Sequence, residues 1–174
     1  AIVGDRRIDP IRHRELLIRV VASIVHGGQV GRIITGDACG IDAFARRYVR
    51  SISTSDPFYD WEATVYCASN ERAELLRQEG YDVIRCSDWR RHGKTAGPMR
   101  NGRIVKDGDE FVVIDGGGPG SADMVRQITA AGKKLWHFVI DDCPCANASD
   151  DEPACERDCS HGIVIHPVDD SEPI

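Results

Sequence analysis

Short apolar runs separated by amphipathic stretches recur along this chain. Ala1-Ile2-Val3, Arg32 to Thr35, Ala63 to Cys67, Tyr81 to Cys86, Phe111 to Ile114 and Leu135 to Ile140 are each too short for a helix and rich in strand-forming residues. Between them the apolar spacing turns helical. From Pro10 to His26 the residues Ile11, Leu16, Leu17, Val20, Val21, Ile24 and Val25 share a face, with Asp9 as N-cap and Gly27-Gly28 as terminator. Further helices are expected after Asp42, from Asn70 to Gln78, from about Pro98 to Val105 and from Ala122 to Ala131. Strands alternating with helices need crossover connections. The expected architecture is therefore α/β and Rossmann-like, a mostly parallel sheet of six strands with helices on both faces.

The polar remainder gathers at the strand ends. Cys86 to Asn101 packs Trp89, Arg90, Arg91, His92, Lys94 and Arg100 into a segment too polar for the core, which reads as a working loop. Phe111 to Ile114 empties into Asp115-Gly116-Gly117-Gly118-Pro119-Gly120-Ser121 before the next helix. A strand, a glycine turn and a helix start aim free N–H groups at one spot, where the helix dipole favours an anion; a tight turn without a ligand is the plain alternative. Gly36 to Asp42 repeats this arrangement, and Gly4-Asp5-Arg6 follows the first strand, where α/β sheets place ligands. Arg6 could hold a phosphate or carboxylate, and Asp42 either complements its helix dipole or meets a ribose hydroxyl.

The net charge of -6 is uneven. From Asp141 onward lie ten of the 28 acidic residues and one of the 22 basic ones, leaving 18 against 21 in the first 140. A mildly cationic body suits a small anionic ligand better than a nucleic-acid polymer, which an acidic tail would also repel. No apolar run spans a bilayer and the first residues do not read as a signal peptide, so the expectation is a cytoplasmic chain without a membrane partner.

Gly4-Asp5-Arg6, Gly36-Asp37-Ala38-Cys39-Gly40-Ile41-Asp42, the run from Asp88-Trp89 through Gly93-Lys94, Ala96-Gly97-Pro98 and Arg100-Asn101, and Gly117 to Val125 together resemble the YspA-like, cpYpsA-related branch of the SLOG superfamily. The resemblance covers roughly residues 1–140. It implies a Rossmann-like nucleotide-binding domain there, followed by an extension over 141–174. It is related to the LOG phosphoribohydrolases, which cleave the N-glycosidic bond of a nucleoside monophosphate, while other members act as ligand sensors. By motif, Gly117, Gly118, Gly120 and Ser121 fall on the LOG phosphate loop and Arg100 on an arginine beside the reacting sugar. The resemblance also makes Gly4, Arg6, Gly36, Asp88, Trp89, Lys94 and Asn101 ligand-binding candidates. Gly116 replaces the leading proline, and Met124 aligns with the catalytic glutamate, with Asp123 one residue earlier.

Cleaving such a bond passes through a cationic sugar and needs a nearby carboxylate, for which Asp37, Asp42 and Asp123 are candidates. Arg100 could anchor the phosphate or orient that carboxylate, Trp89 could stack on the base, and Lys94 could meet a phosphate. Two functions stand side by side: a nucleoside 5'-monophosphate N-glycosidase, and a non-catalytic nucleotide or ADP-ribose-type sensor. A homo-oligomer is expected from the same resemblance.

The core requires no cofactor on this reading. In the extension, Cys143, Cys145, Cys155, Cys159 and His161 are spaced closely enough for a zinc site, with disulfides or a reduced tail as alternatives. Cys39, Cys67 and Cys86 are expected to be small apolar core residues. Gly162 to His166 is a further short strand for a sheet edge or a partner.

Overall fold

The computed structural model describes residues 1–27, 32–55, 62–140 and 163–168. The strands are β1 (Ile2–Gly4), β2 (Arg32–Gly36), β3 (Glu62–Cys67), β4 (Asp82–Arg85), β5 (Glu110–Asp115), β6 (Lys134–Ile140) and β7 (Ile163–Val168). The helices are α1 (Arg14–Gly27), α2 (Ile41–Ser55), α3 (Asn70–Gln78), α4 (Trp89–His92), α5 (Ala96–Asp107) and α6 (Pro119–Ala130). The α/β alternation matches the apolar pattern. The segment read as a working loop is mostly helical instead, with α4, a 3-10 turn at Gly93–Thr95 and the start of α5.

The expected single sheet is two hydrogen-bonded ladders. One has the order β1-β5-β6-β7, and the other β2-β3-β4. Every pair is parallel except β6 with β7, which lies antiparallel at the edge and fulfils the expectation of a short strand near residues 162–166. The break between the ladders falls beside β1, where Asp42 takes one of the strand's N–H groups. Asp5 N donates to Ile114 O of β5, so the preceding Gly4 N–H faces the other way, toward β2. Rather than meeting a strand carbonyl, that N–H donates to Asp42 Oδ1 at 3.2 Å.

Shared cores hold the ladders together. Alternate side chains of each strand point to opposite faces. Ile2 of β1, Ile33 of β2 and Val112 and Ile114 of β5 pack with Leu17 and Val21 of α1 and Ala45 and Val49 of α2. Val3, Ile34, Phe111 and Val113 pack on the other face with Ile104 of α5 and Met124 and Ile128 of α6. Helices thus cover both faces, and each core draws on strands from both ladders. Among the described residues no helix is long and apolar enough to cross a membrane.

Candidate functional site

The turns after β1, β2, β3 and β5 open at one end of the strands onto a cavity of about 880 Å³. That is a volume suited to a small-molecule ligand. Of the residues singled out from the sequence, Gly4, Arg6, Asp37, Asp42, Trp89 and Lys94 line it, and so do Arg100, Asn101, Gly118, Gly120, Ser121 and Asp123.

One wall is the start of α6. Asp115 Oδ1 accepts from Gly117 N at 2.8 Å, and Gly117 takes φ +77°, a conformation glycine adopts freely. Gly118 then stands at the N-cap with no side chain to satisfy the first N–H groups. Pro119 has no N–H, and Ala122 N already donates to Gly118 O at 3.1 Å. Gly120 N and Ser121 N are left without a backbone acceptor among the described residues. The Ser121 hydroxyl, on a residue only 4% exposed, also has no hydrogen-bond partner. Three donors without an acceptor therefore gather at the start of α6, where the helix dipole is positive and whose residues Gly120 and Ser121 line the cavity.

The turn is clamped from β1 by a pair that sequence reading missed. Arg7 Nη2 bridges Asp5 Oδ2 and Gly116 O, each at 2.8 Å. A Cβ on Gly118 would sit 2.2 Å from Asp5 Oδ2, so only glycine admits this approach. Burial opposes ionisation of Asp5, but hydrogen bonds and charge from Arg7 outweigh it and hold the carboxyl below its ordinary range.

The floor is an ionic network reaching from α2 to α6. Arg100 forms a salt bridge through Nη1 to Asp37 Oδ1, and Asp37 Oδ2 accepts from Ala68 N at 3.1 Å. Arg100 Nη2 donates to Asn101 Oδ1 at 3.1 Å, and Asn101 Nδ2 donates to Asp123 Oδ2 at 3.0 Å. Asp123 also accepts from Gln127 Nε2 at 2.8 Å and pairs with Arg126. Burial works against the Arg100 charge, but Asp42 and Asp37 more than compensate and raise its pKa.

Asp42 differs from these carboxylates. It is 2% exposed, and its oxygens accept from Gly4 N and, at 3.3 Å, from Ala38 N. Burial pushes its carboxyl up to about 6, against the pull of Arg100 and those two N–H groups. Gly36 makes the packing possible, since a Cβ there would lie 2.2 Å from Asp42 Oδ2 and 3.2 Å from Arg100 Cζ.

The raised Asp42 pKa predicts a pH effect on stability. The folded chain keeps this proton to a higher pH than the unfolded chain, whose ordinary value is 3.8, so the contribution is lost as pH rises from 3.8 to about 6. A shift of this size corresponds to on the order of 2–3 kcal/mol. In urea unfolding, the stability of the wild type relative to Asp42→Asn is expected to fall by that order across this window. A difference that stays flat with pH would refute the assignment.

At the rim, Trp89 is 46% exposed, and Gly97 passes close to it. Lys94 and Arg6 are exposed. Ser69 and Arg72, also missed, line the cavity from the start of α3, where Ser69 Oγ caps Arg72 N at 3.3 Å. The signal was available: Cys67 to Asn70 is another strand-to-helix turn at the same end of the strands.

Three expected ligand-binding residues do not line the cavity. Gly36 lies behind Asp42, and Gly117 shapes its turn. Asp88 caps α4, accepting from Arg90 N at 2.9 Å and from Asn70 Nδ2 at 2.7 Å. The cysteines also divide. Cys67 is buried, and burial pushes its thiol up to about 12; that of half-buried Cys86 rises to about 11 for the same reason. Cys39 departs from the core expectation, being exposed and lining the cavity.

Cys143, Cys145, Cys155, Cys159 and His161 lie outside the described residues. Among the described residues no group of three or more His, Cys, Asp or Glu side chains is placed to hold a metal. In comparison with known proteins, no family model matches this chain and no curated protein matches it either.

Proposed function

We propose that this chain is a nucleotide-binding protein of the SLOG kind, whose cavity takes a nucleotide with its phosphate at the start of α6. The observation that carries the reading is the buried, unpartnered Ser121 hydroxyl beside the Gly120 and Ser121 N–H groups. A buried donor without a partner is costly, and a phosphate oxygen would satisfy all three. Trp89 offers an exposed aromatic face for a base. On the same reading the two ladders are one Rossmann-like sheet, interrupted beside β1, where Asp42 takes the Gly4 N–H. The order is then β4-β3-β2-β1-β5-β6, which reverses direction between β1 and β5. Ligands of such sheets sit at that reversal, beside the turns after β1 and β5 that wall this cavity.

A second reading, hydrolysis of the N-glycosidic bond, is favoured by Asp42. A cavity carboxyl that titrates near 6 can give a proton to a departing base. The C1'–N bond would break with its electron pair going to the base, the base would take the Asp42 proton, and water would add to C1' and return a proton to Asp42. Asp37, paired with Arg100, would supply fixed negative charge facing the cationic sugar. Met124, in the place of the LOG glutamate, is 2% exposed and carries no proton. Asp123 is already engaged by Asn101, Gln127 and Arg126.

Calorimetry together with chromatographic detection of free base, using AMP, GMP, CMP and UMP, tests both readings. Binding of at least one intact nucleotide is expected. Base release from wild type that disappears in Asp42→Asn would establish hydrolysis. Binding without release would leave a sensor, and no binding of any nucleotide would overturn both.

A further inference from the structure

Five cationic side chains line the cavity, and carboxylates within it match two of them: Asp5 pairs with Arg7, and Asp37 with Arg100. Arg6, Arg72 and Lys94 have no carboxylate or other side-chain partner among the described residues. They come from separate elements, namely the turn after β1, the first turn of α3 and the 3-10 turn after α4. Their convergence on one cavity is a property of the fold.

A fourth cation stands behind them. Arg46 of α2 is 1% exposed, donates through Nη1 to the carbonyl of cavity-lining Ala38 at 3.2 Å, and leaves Nε without a partner. Burial, followed by the nearby charge of Arg72, lowers its pKa. Two like charges close enough to be felt, one of them buried, are costly unless an anion compensates. Asp42 offsets part of this for Arg46, while the other cavity carboxylates, Asp5, Asp37 and Asp123, already pair with Arg7, Arg100 and Arg126.

On the reading above, an oxyanion at the start of α6 would be held by neutral donors, and none of these cations belongs to that set. We propose that the nucleotide carries a second anionic group, held by Arg6, Arg72 and Lys94, so that the ligand class is a doubly phosphorylated nucleotide rather than a monophosphate. This rests on the nucleotide-binding reading above. An arginine and a lysine serve such a group through charge-assisted hydrogen bonds, which strengthen where walls exclude water.

The test is calorimetry at one ionic strength with AMP, ADP and adenosine 3',5'-bisphosphate against wild type, Arg72→Ala/Lys94→Ala and Ser121→Ala. At least one doubly phosphorylated probe is expected to bind wild type about tenfold or more tighter than AMP. Whether ADP or the bisphosphate gains tells if the second anion lies on the 5' chain or on the ribose. The double variant is expected to remove that preference while changing AMP affinity less than about twofold. Equal wild-type affinity for all three probes would overturn the proposal. So would a double variant that weakens AMP as much as the others, because the cations would then serve a single phosphate. Unchanged AMP binding in Ser121→Ala would instead overturn the α6 phosphate site, and the wild-type preference would still decide the role of the cations.

Discussion

Arg100→Met is expected to destabilise the fold by about 3–5 kcal/mol, the loss typical when one partner of a buried ion pair is removed. Arg100 is the countercharge for two enclosed carboxylates. It bridges to Asp37, and its charge also pulls against the burial of Asp42. Methionine fills a similar volume, so the loss reads the charge and not a void. Guanidinium unfolding measures it. Adding Asp37→Asn to Arg100→Met should recover part of the loss, because one uncompensated carboxylate is then gone. If Arg100→Met alone lost less than about 1 kcal/mol, the pair would be behaving as an exposed one and the account of the cavity floor would fail.

Gly4→Ala is expected to destabilise by about 3 kcal/mol or more, at the upper end of overpacking costs. The added Cβ would lie 2.4 Å from Ile114 O and 2.8 Å from both Ile41 Cβ and Ile41 Cγ2. Ile114 O cannot retreat, since it already accepts from Asp5 N in the β1–β5 ladder at 2.9 Å. Gly97→Ala is the contrasting case. Its Cβ would meet only Trp89 Cζ2 at 3.9 Å inside α5, so a gain of about 0.5–1 kcal/mol is expected from helix propensity. Equilibrium unfolding of the two variants side by side checks the contrast, and equal losses in both would refute it.

Much of this was legible in the sequence because each signal was local. Short apolar runs located the strands, helical spacing the long helices, and glycine turns at strand ends three walls of the cavity. What stayed hidden depends on partners distant in sequence. At the break between the ladders the Gly4 N–H goes to Asp42, thirty-eight residues away. The helical turns over Trp89–Thr95 carry no apolar period. They rest on Asp88 as a cap and on Ser87 Oγ, which donates to Ala96 O at 2.8 Å. Asp88 is a polar residue in a ligand-like motif, and its side chain is used by the backbone it precedes. Ser69 is legible as the N-cap of α3, but its place and that of Arg72 on the cavity were not, because their turn has no glycine, although it occupies the same end of the strands. The Asp5–Arg7 clamp on Gly116 spans over a hundred residues and leaves no local trace.

Nucleotide binding at α6 is most directly tested by amide chemical shifts of the full chain titrated with AMP and, separately, with adenosine. The account predicts that AMP shifts the Gly120 and Ser121 amides more than other backbone amides, and that adenosine, lacking the phosphate, leaves those two nearly unmoved. AMP shifts confined to other residues, or equal shifts of Gly120 and Ser121 with adenosine, would contradict it.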